Sequence, residues 1–250
     1  MLQQKSELTV SAVIPDHRRE FLKGARDTVP LILGAIPFGI IFGTLASGTD
    51  LSFGAAMSMS LFVFAGSAQF IAIGLVSQGA GVLVIVLTTF VVNLRHLLYG
   101  ASLVPYYRRL SQGWKALLSF GLTDETFAVS YMRYRKQDGT ANKHYYNLGS
   151  MVLMYVNWNL CTIAGLTIGK AVPGIEKWGL EFAMPATFIG MVIPYLASSP
   201  MWAAVFTAGI VSVVLNFLPH KLGLMAAAVA GTAAGVFCEY LKKNKAASDE

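Results

Sequence analysis

Eight long apolar runs constrain this chain more than any other feature: 27–46, 51–76, 80–104, 116–132, 145–169, 180–197, 199–217 and 221–241. A straight helix needs about 20 residues to cross the hydrocarbon core of a bilayer, and most of the runs reach that length. None shows the strand-period alternation of an outer-membrane barrel. The runs fill the body of the 250-residue chain and leave no stretch for a soluble domain. Charged residues make up 13% and hydrophobic residues 55% of the sequence, whereas an average soluble domain carries roughly 25% charge. That composition argues against a soluble enzyme, a nucleic-acid reader or a disordered chain. The expected fold is all-α: a polytopic membrane helix bundle with seven to eight hydrophobic passes over 27–241. It is flanked by a charged segment at 1–26 and a charged tail at 242–250. Residues 1–26 hold Glu7, Asp16 and Glu20 and lack the apolar core of a signal peptide.

The net charge of +6 is loop charge: 18 of the 19 Lys and Arg residues lie outside the apolar runs or at their ends, and only Arg95 sits well inside one. Such placement orients membrane proteins, because basic loops stay in the cytoplasm. If all eight runs span and the N-terminus is inside, 12 basic residues face the cytoplasm and 6 face out. If 51–76 and 116–132 each enter and leave on one side, the division becomes 15 and 3, which fits the rule better. The second arrangement implies at least one broken or re-entrant helix. Broken backbone at membrane depth must be buried in protein or line a wet cavity. Gly66, Ser67 and Gln69 offer such a break in one run, and Gly121, Asp124 and Glu125 in the other.

Small residues promise close helix contacts: Gly34, Gly39, Gly43 and Gly48 recur along the first run, and Gly231 and Gly235 form a small-xxx-small pair in the last. Pro37 and Pro194 are expected helix breaks in loosely similar Gly-to-Pro contexts, as in transporters built from two related halves. Cys161 and Cys238 lie far apart in apolar runs and read as buried small hydrophobes; no metal-ligand spacing and no cofactor motif is present.

The densest polar constellation lies in 80–104. Thr89, Asn93, His96 and Gly100 are spaced i, i+4, i+7, i+11, which puts them on one face of a helix, with Arg95 and Tyr99 on an adjacent face. A cation at that depth is either a snorkelling anchor or a buried charge paired with a carboxylate of the protein or a substrate. Asp124 and Glu125 are its natural partners. Adjacent helical residues diverge by about 100°, so one acid can pair while the other faces substrate or carries a proton. Asp124 could instead be a helix N-cap, and His96 either a second proton carrier or a hydrogen-bonded core residue. The run Phe64-Ala-Gly-Ser-Ala-Gln-Phe70 is small and polar within an apolar segment. Unwound at Gly66, it would present amides to a carboxylate and carbonyls to an ammonium. Phe62, Phe64, Phe70 and Met57 could line an apolar site beside it, or simply pack. Asn157, Asn159 and Thr162 read as interhelical hydrogen-bonding residues.

Phe64-Ala-Gly-Ser-Ala-Gln69, Asn93-Leu-Arg-His96 followed by Leu97-Leu98-Tyr99-Gly100, and Thr123-Asp124-Glu125, in this order, resemble the AzlC family of branched-chain amino-acid exporters. The resemblance covers nearly the whole chain. It implies a carrier in the bacterial inner membrane that exports leucine, isoleucine, valine and in some members methionine; the charge count puts its N-terminus in the cytoplasm. It also implies a small, separately encoded membrane subunit of the AzlD type. Gly66, Ser67, Gln69, Asn93, Arg95, His96, Asp124 and Glu125 are then the expected substrate and proton pathway. No nucleotide motif is present, so energy would come from an ion gradient, and protons suit the titratable groups. A non-transporting scaffold or a channel-like subunit is the competing reading. The short loops offer a scaffold little recognition surface, and a channel needs repeated polar rings.

Overall fold

The computed structural model describes residues 17–140, 142–171, 189, 193, 196–218 and 222–248, and these form helices joined by short turns. The helices are α1 (His17–Ser47), α2 (Phe53–Ser58) continued by a π-turn (Met59–Val63), α3 (Gly66–Ser77), α4 (Val82–Asn93), α5 (Arg95–Tyr107), α6 (Gln112–Phe120), α7 (Asp124–Arg135), α8 (Lys143–Ala171), α9 (Ser199–Val214) and α10 (Leu222–Ser248). Among the described residues, three stretches are long and apolar enough to cross a membrane: α1, α4 with α5, and α8. The α2–π segment, α3 and α9 are shorter apolar helices. Pro194 and most of the run 180–197 lie outside the described residues.

Several boundaries differ from the hydrophobic pattern. α1 begins at His17, so the charged residues 17–26 continue the helix of the first apolar run. α10 likewise carries on past 241 to Ser248. The expected break at Pro37 does not occur, since α1 is helical through both Pro30 and Pro37. A proline removes one ladder bond, and packed neighbours can absorb that loss in a membrane helix. The two runs expected to be broken are both interrupted: 51–76 at Phe64–Ala65 and 116–132 at Gly121–Thr123.

The chain divides into two compact units. The first holds the chain up to Ile32 together with Tyr99–Val156. Its core is built by Leu103, Tyr107, Leu118, Leu122 and Tyr134. Here α1 and α8 approach at glycines: a methyl on Gly24 would overlap the carbonyl of Tyr146, and one on Gly149 that of Phe21. Thr28 Oγ1 donates to Ser150 Oγ at 2.7 Å in the same contact. Arg133, in the last turn of α7, is only 3% exposed. It clasps Glu20 of α1 with both Nε and Nη2, at 3.0 and 2.9 Å, and also binds Asp138. The Arg133 guanidinium holds the Asp138 carboxyl well below the usual carboxylate range. Sequence reading placed Arg133 among loop charges; the fold makes it a buried clamp.

The second unit holds Leu33–Leu98 and the chain from Asn157 onward. α1 and α8 meet again here through small residues. Gly43 faces the backbone of Thr162 and Leu166, and Gly165 that of Ile40, so closely that neither has space for a Cβ. Gly34 faces open space, so the glycine series is not one continuous contact. Gly231 lets α10 reach α9, where a Cβ would stand 2.7 Å from the Ala204 carbonyl oxygen. That is the close approach expected of the small-xxx-small pair.

Candidate functional site

In the second unit, the α2–π segment ends at Phe64, which is in the left-handed conformation (φ 45°), and Ala65 is extended. A bulky residue at positive φ costs on the order of 1–3 kcal/mol and persists only where its surroundings impose it. The break is buried: Phe64 is 3% and Ala65 5% exposed. It falls two residues before the expected point, and Gly66 opens α3 instead of unwinding it. Gly66 is needed there for space. A Cβ at that position would sit 2.9 Å from Cη2 of Trp158.

α3 starts without a side-chain cap. Its first-turn amides have no intrahelical partner, which makes the turn a place where negative charge is favoured. Ser67 lies in that turn, and its Oγ is buried with no hydrogen-bond partner among the described residues. An unsatisfied buried hydroxyl costs about 1–3 kcal/mol. Gln69 was expected beside Ser67 as a substrate ligand. It is instead fully buried and spent on protein: Nε2 donates to Ser60 Oγ at 2.9 Å, and Oε1 accepts from Trp158 Nε1 at 3.0 Å. Thr162 makes the interhelical contact expected of it, 2.8 Å from Ser60 Oγ. Of the aromatic candidates, Phe70 packs edge-on against Phe42 at 5.9 Å, whereas Phe62 is 76% exposed.

The constellation of 80–104 is divided by a second irregularity. At Leu94 the helix tightens: Leu94 N–H bonds Val91 O at 3.1 Å and Leu97 N–H bonds Leu94 O at 3.0 Å, three residues apart. Thr89 and Asn93 therefore end α4 while Arg95, His96 and Gly100 begin α5, and the single expected face is interrupted. His96 Nδ1 lies 3.0 Å from the Asn93 carbonyl oxygen. A carbonyl only accepts, so this contact needs the tautomer with the proton on Nδ1. The Asn93 Oδ1 and Asn157 Nδ2 atoms are buried without hydrogen-bond partners among the described residues. Thr89 is spent on its own helix, donating to Ile85 O at 2.8 Å.

Asp124 and Glu125 lie in the first unit and Arg95 in the second. Thr123, not Asp124, is the N-cap of α7. Its Oγ1 accepts from Thr126 N–H at 3.3 Å, while Thr126 Oγ1 accepts from Thr123 N–H at 2.7 Å. This capping box places both acids in the first turn, where the helix dipole favours carboxylates. Tyr99 OH donates to Asp124 Oδ1, and the Tyr99 ring stacks on Phe127 at 4.5 Å. Among the described residues, no three His, Cys, Asp or Glu side chains converge as a metal ion would require.

Sequence reasoning missed Trp158 and Ser60. Trp158 carried one available signal, since an indole N–H within an apolar helix has to find an acceptor. Ser60 carried none.

Comparison with known proteins covers the same regions. Residues 30–172 match the family described as AzlC protein. An uncharacterized membrane protein of Archaeoglobus fulgidus is 31% identical over 84% of this chain and 92% of its own. The inner membrane protein YgaZ of Escherichia coli is 28% identical over 69% of this chain and 72% of its own. The branched-chain amino acid transport protein AzlC of Bacillus subtilis is 30% identical over 66% of this chain and 64% of its own. No solved structure matches. The family match spans α1 through α8, with the broken helix, the Asn93–His96 irregularity and the Thr123–Glu125 cap all inside it, and the chain belongs to the AzlC family.

Proposed function

We propose that this protein is a secondary transporter that exports branched-chain amino acids, coupled to protons. The observation that carries the reading is the buried helix break at Phe64–Ala65, with an uncapped α3 and, beside it, a Ser67 hydroxyl that has no partner among the described residues. The name of the Bacillus subtilis relative supports the substrate class. Irregular backbone at membrane depth is tolerated where it lines a cavity or is held by protein. A zwitterion answers both ends of such a break. Its carboxylate takes the α3 amides and the Ser67 hydroxyl, and its ammonium takes carbonyls released at the end of the π-turn. A branched aliphatic side chain then lies against apolar protein, at no cost in unsatisfied polar groups.

Asn93, Arg95 and His96, gathered at the Leu94 irregularity, belong to the same pathway in this reading. Asp124 or Glu125 carries the proton, with His96 as the next candidate. The runs 51–76 and 116–132 enter and leave on one side, so the N-terminus and both basic loops are cytoplasmic. A small membrane subunit of the AzlD type completes the carrier.

Efflux from preloaded vesicles tests the reading, with and without a candidate small subunit. A carrier gives saturable efflux of leucine, isoleucine or valine that responds to an imposed proton gradient. A scaffold gives none, and a channel gives non-saturable, conductive flux. Replacing the proton-carrying acid by its amide should preserve substrate exchange and abolish uphill accumulation. If Asp124→Asn and Glu125→Gln both keep full, uncoupler-sensitive uphill export, neither acid is the coupling site.

A further inference from the structure

Four side chains of the second unit form a closed hydrogen-bond ring around the helix break. Trp158 Nε1 donates to Gln69 Oε1 at 3.0 Å. Gln69 Nε2 donates to Ser60 Oγ at 2.9 Å. Thr162 Oγ1 donates to the Trp158 carbonyl at 2.9 Å, which commits its one proton. The Ser60–Thr162 contact of 2.8 Å must therefore run from the Ser60 hydroxyl to Thr162 Oγ1. Every direction is fixed, because the indole can only donate and the carbonyl can only accept. The ring leaves Trp158 at its side chain and returns to its backbone. Ser60, Gln69 and Thr162 are fully buried and Trp158 is 8% exposed.

Ser60 stands on the π-turn before the break, and Gln69 stands one turn into α3 after it. Trp158 and Thr162 are one turn apart on α8. The ring thus ties both sides of a strained backbone to a single long helix. The Trp158 indole also covers Gly66, and it stacks on Phe42 of α1 at 6.3 Å. We infer that Ser60, Gln69, Trp158 and Thr162 are the positioning residues of the transport site: they hold the break open in its binding geometry and do not themselves touch substrate. This rests on the reading of the break as the substrate site.

The ring sets a chemical requirement at position 69. That side chain must accept from the indole and donate to Ser60, whose own proton is already committed. A glutamine does both. So does a neutral carboxylic acid, whereas a carboxylate can only accept. Gln69→Glu should therefore restore the ring when protonated and break it when ionised. Ser60, Trp158 and Thr162 do not titrate in the working range, so any new pH dependence in the ring belongs to the introduced carboxyl.

The test uses the full-length protein in vesicles with equal pH on both faces. Half-saturation for leucine exchange is compared with wild type at each pH, and amide hydrogen exchange of residues 59–70 is read without substrate. At about pH 5 the Gln69→Glu variant should stay within about threefold of wild type in half-saturation. At about pH 8 it should be at least about tenfold weaker, with maximal exchange rate less affected. Protection of 59–70 should fall over the same pH range. A folded Gln69→Glu variant whose half-saturation tracks wild type at every pH overturns the inference. So does loss of protection at 59–70 with unchanged half-saturation. If Gln69→Glu fails to fold, Thr162→Ser and Thr162→Val decide. The serine should keep wild-type half-saturation and the valine should weaken it at least about fivefold, and equal values for the two sink the idea. A wild type that exchanges no branched-chain amino acid removes the transport reading and the inference with it. The hydrogen-exchange profile, read without substrate, separates that result from the absence of a ring.

Discussion

Ser67 and Gly66 are neighbours with opposite debts to the fold. The Ser67 hydroxyl is buried without a hydrogen-bond partner among the described residues, which leave its desolvation cost uncompensated. Ser67→Ala should leave thermal stability unchanged or raise it by about 1 kcal/mol while weakening substrate half-saturation several-fold. A variant that is less stable and binds as wild type would show that Ser67 serves packing alone. Gly66 is under the opposite constraint. Its Cβ would stand 2.9 Å from a Trp158 ring already packed on Phe42, and that ring has little freedom to move. Gly66→Ala should cost about 1–3 kcal/mol by overpacking. Gly66→Leu should abolish export while the protein still reaches the membrane. Paired melting and transport measurements on the three variants check both expectations.

At the scale of elements, α1 and α8 are the long struts of the chain, and they meet where backbones touch. Gly43→Leu should prevent that contact in the second unit, because Thr162, Leu166 and Gly165 occupy the space. Gly34→Leu, on the same helix but facing open space, should fold normally. A comparable yield of folded protein from the two variants would show that the α1–α8 contact is dispensable. The Arg133 clamp joins α7 to α1 through Glu20 and to the following segment through Asp138. Removing either partner strands a buried charge, so Arg133→Ala and Glu20→Ala should be strongly non-additive in a double-mutant cycle. The clamp also has a pH signature. Asp138 has its folded-state carboxyl depressed by Arg133. Its contribution is therefore complete above the unfolded value near pH ~4 and is lost as pH falls through the lower folded value. Asp138→Asn should remove that acid-side loss, seen as a flatter dependence of melting temperature on pH below about 4.

For the whole molecule, the charge count of 15 against 3 argues that both basic loops face the cytoplasm. Ser111 and Gln137 mark the two loops, and both belong to the first unit. Single cysteines at these positions, in a background lacking Cys161 and Cys238, should resist membrane-impermeant thiol reagents in intact cells. Labelling of one and not the other would mean that 116–132 spans the bilayer. Labelling of both would reverse the orientation.

The sequence by itself determined the all-helical class, the membrane setting and the two interrupted runs. Each follows from local quantities: hydropathy over about 20 residues, turn-forming residues and loop charge. Its motifs also located the stretches where polar groups gather, 64–70, 93–96 and 123–125. What each residue does there was decided by tertiary contacts. Proline chemistry pointed to a break at Pro37, yet α1 runs through it. In the run 51–76 the break expected at Gly66 came at Phe64, a residue with no intrinsic tendency toward positive φ. Local preference could not place it, because the conformation is held by groups about ninety residues away on α8. Gln69 looked like a ligand and proved to be bound by Ser60 and Trp158. Arg133 looked like a loop charge and proved to be buried against Glu20. A side chain's hydrogen-bonding capacity is written in its identity, but whether protein or substrate uses it depends on which distant residues the fold brings within about 3 Å.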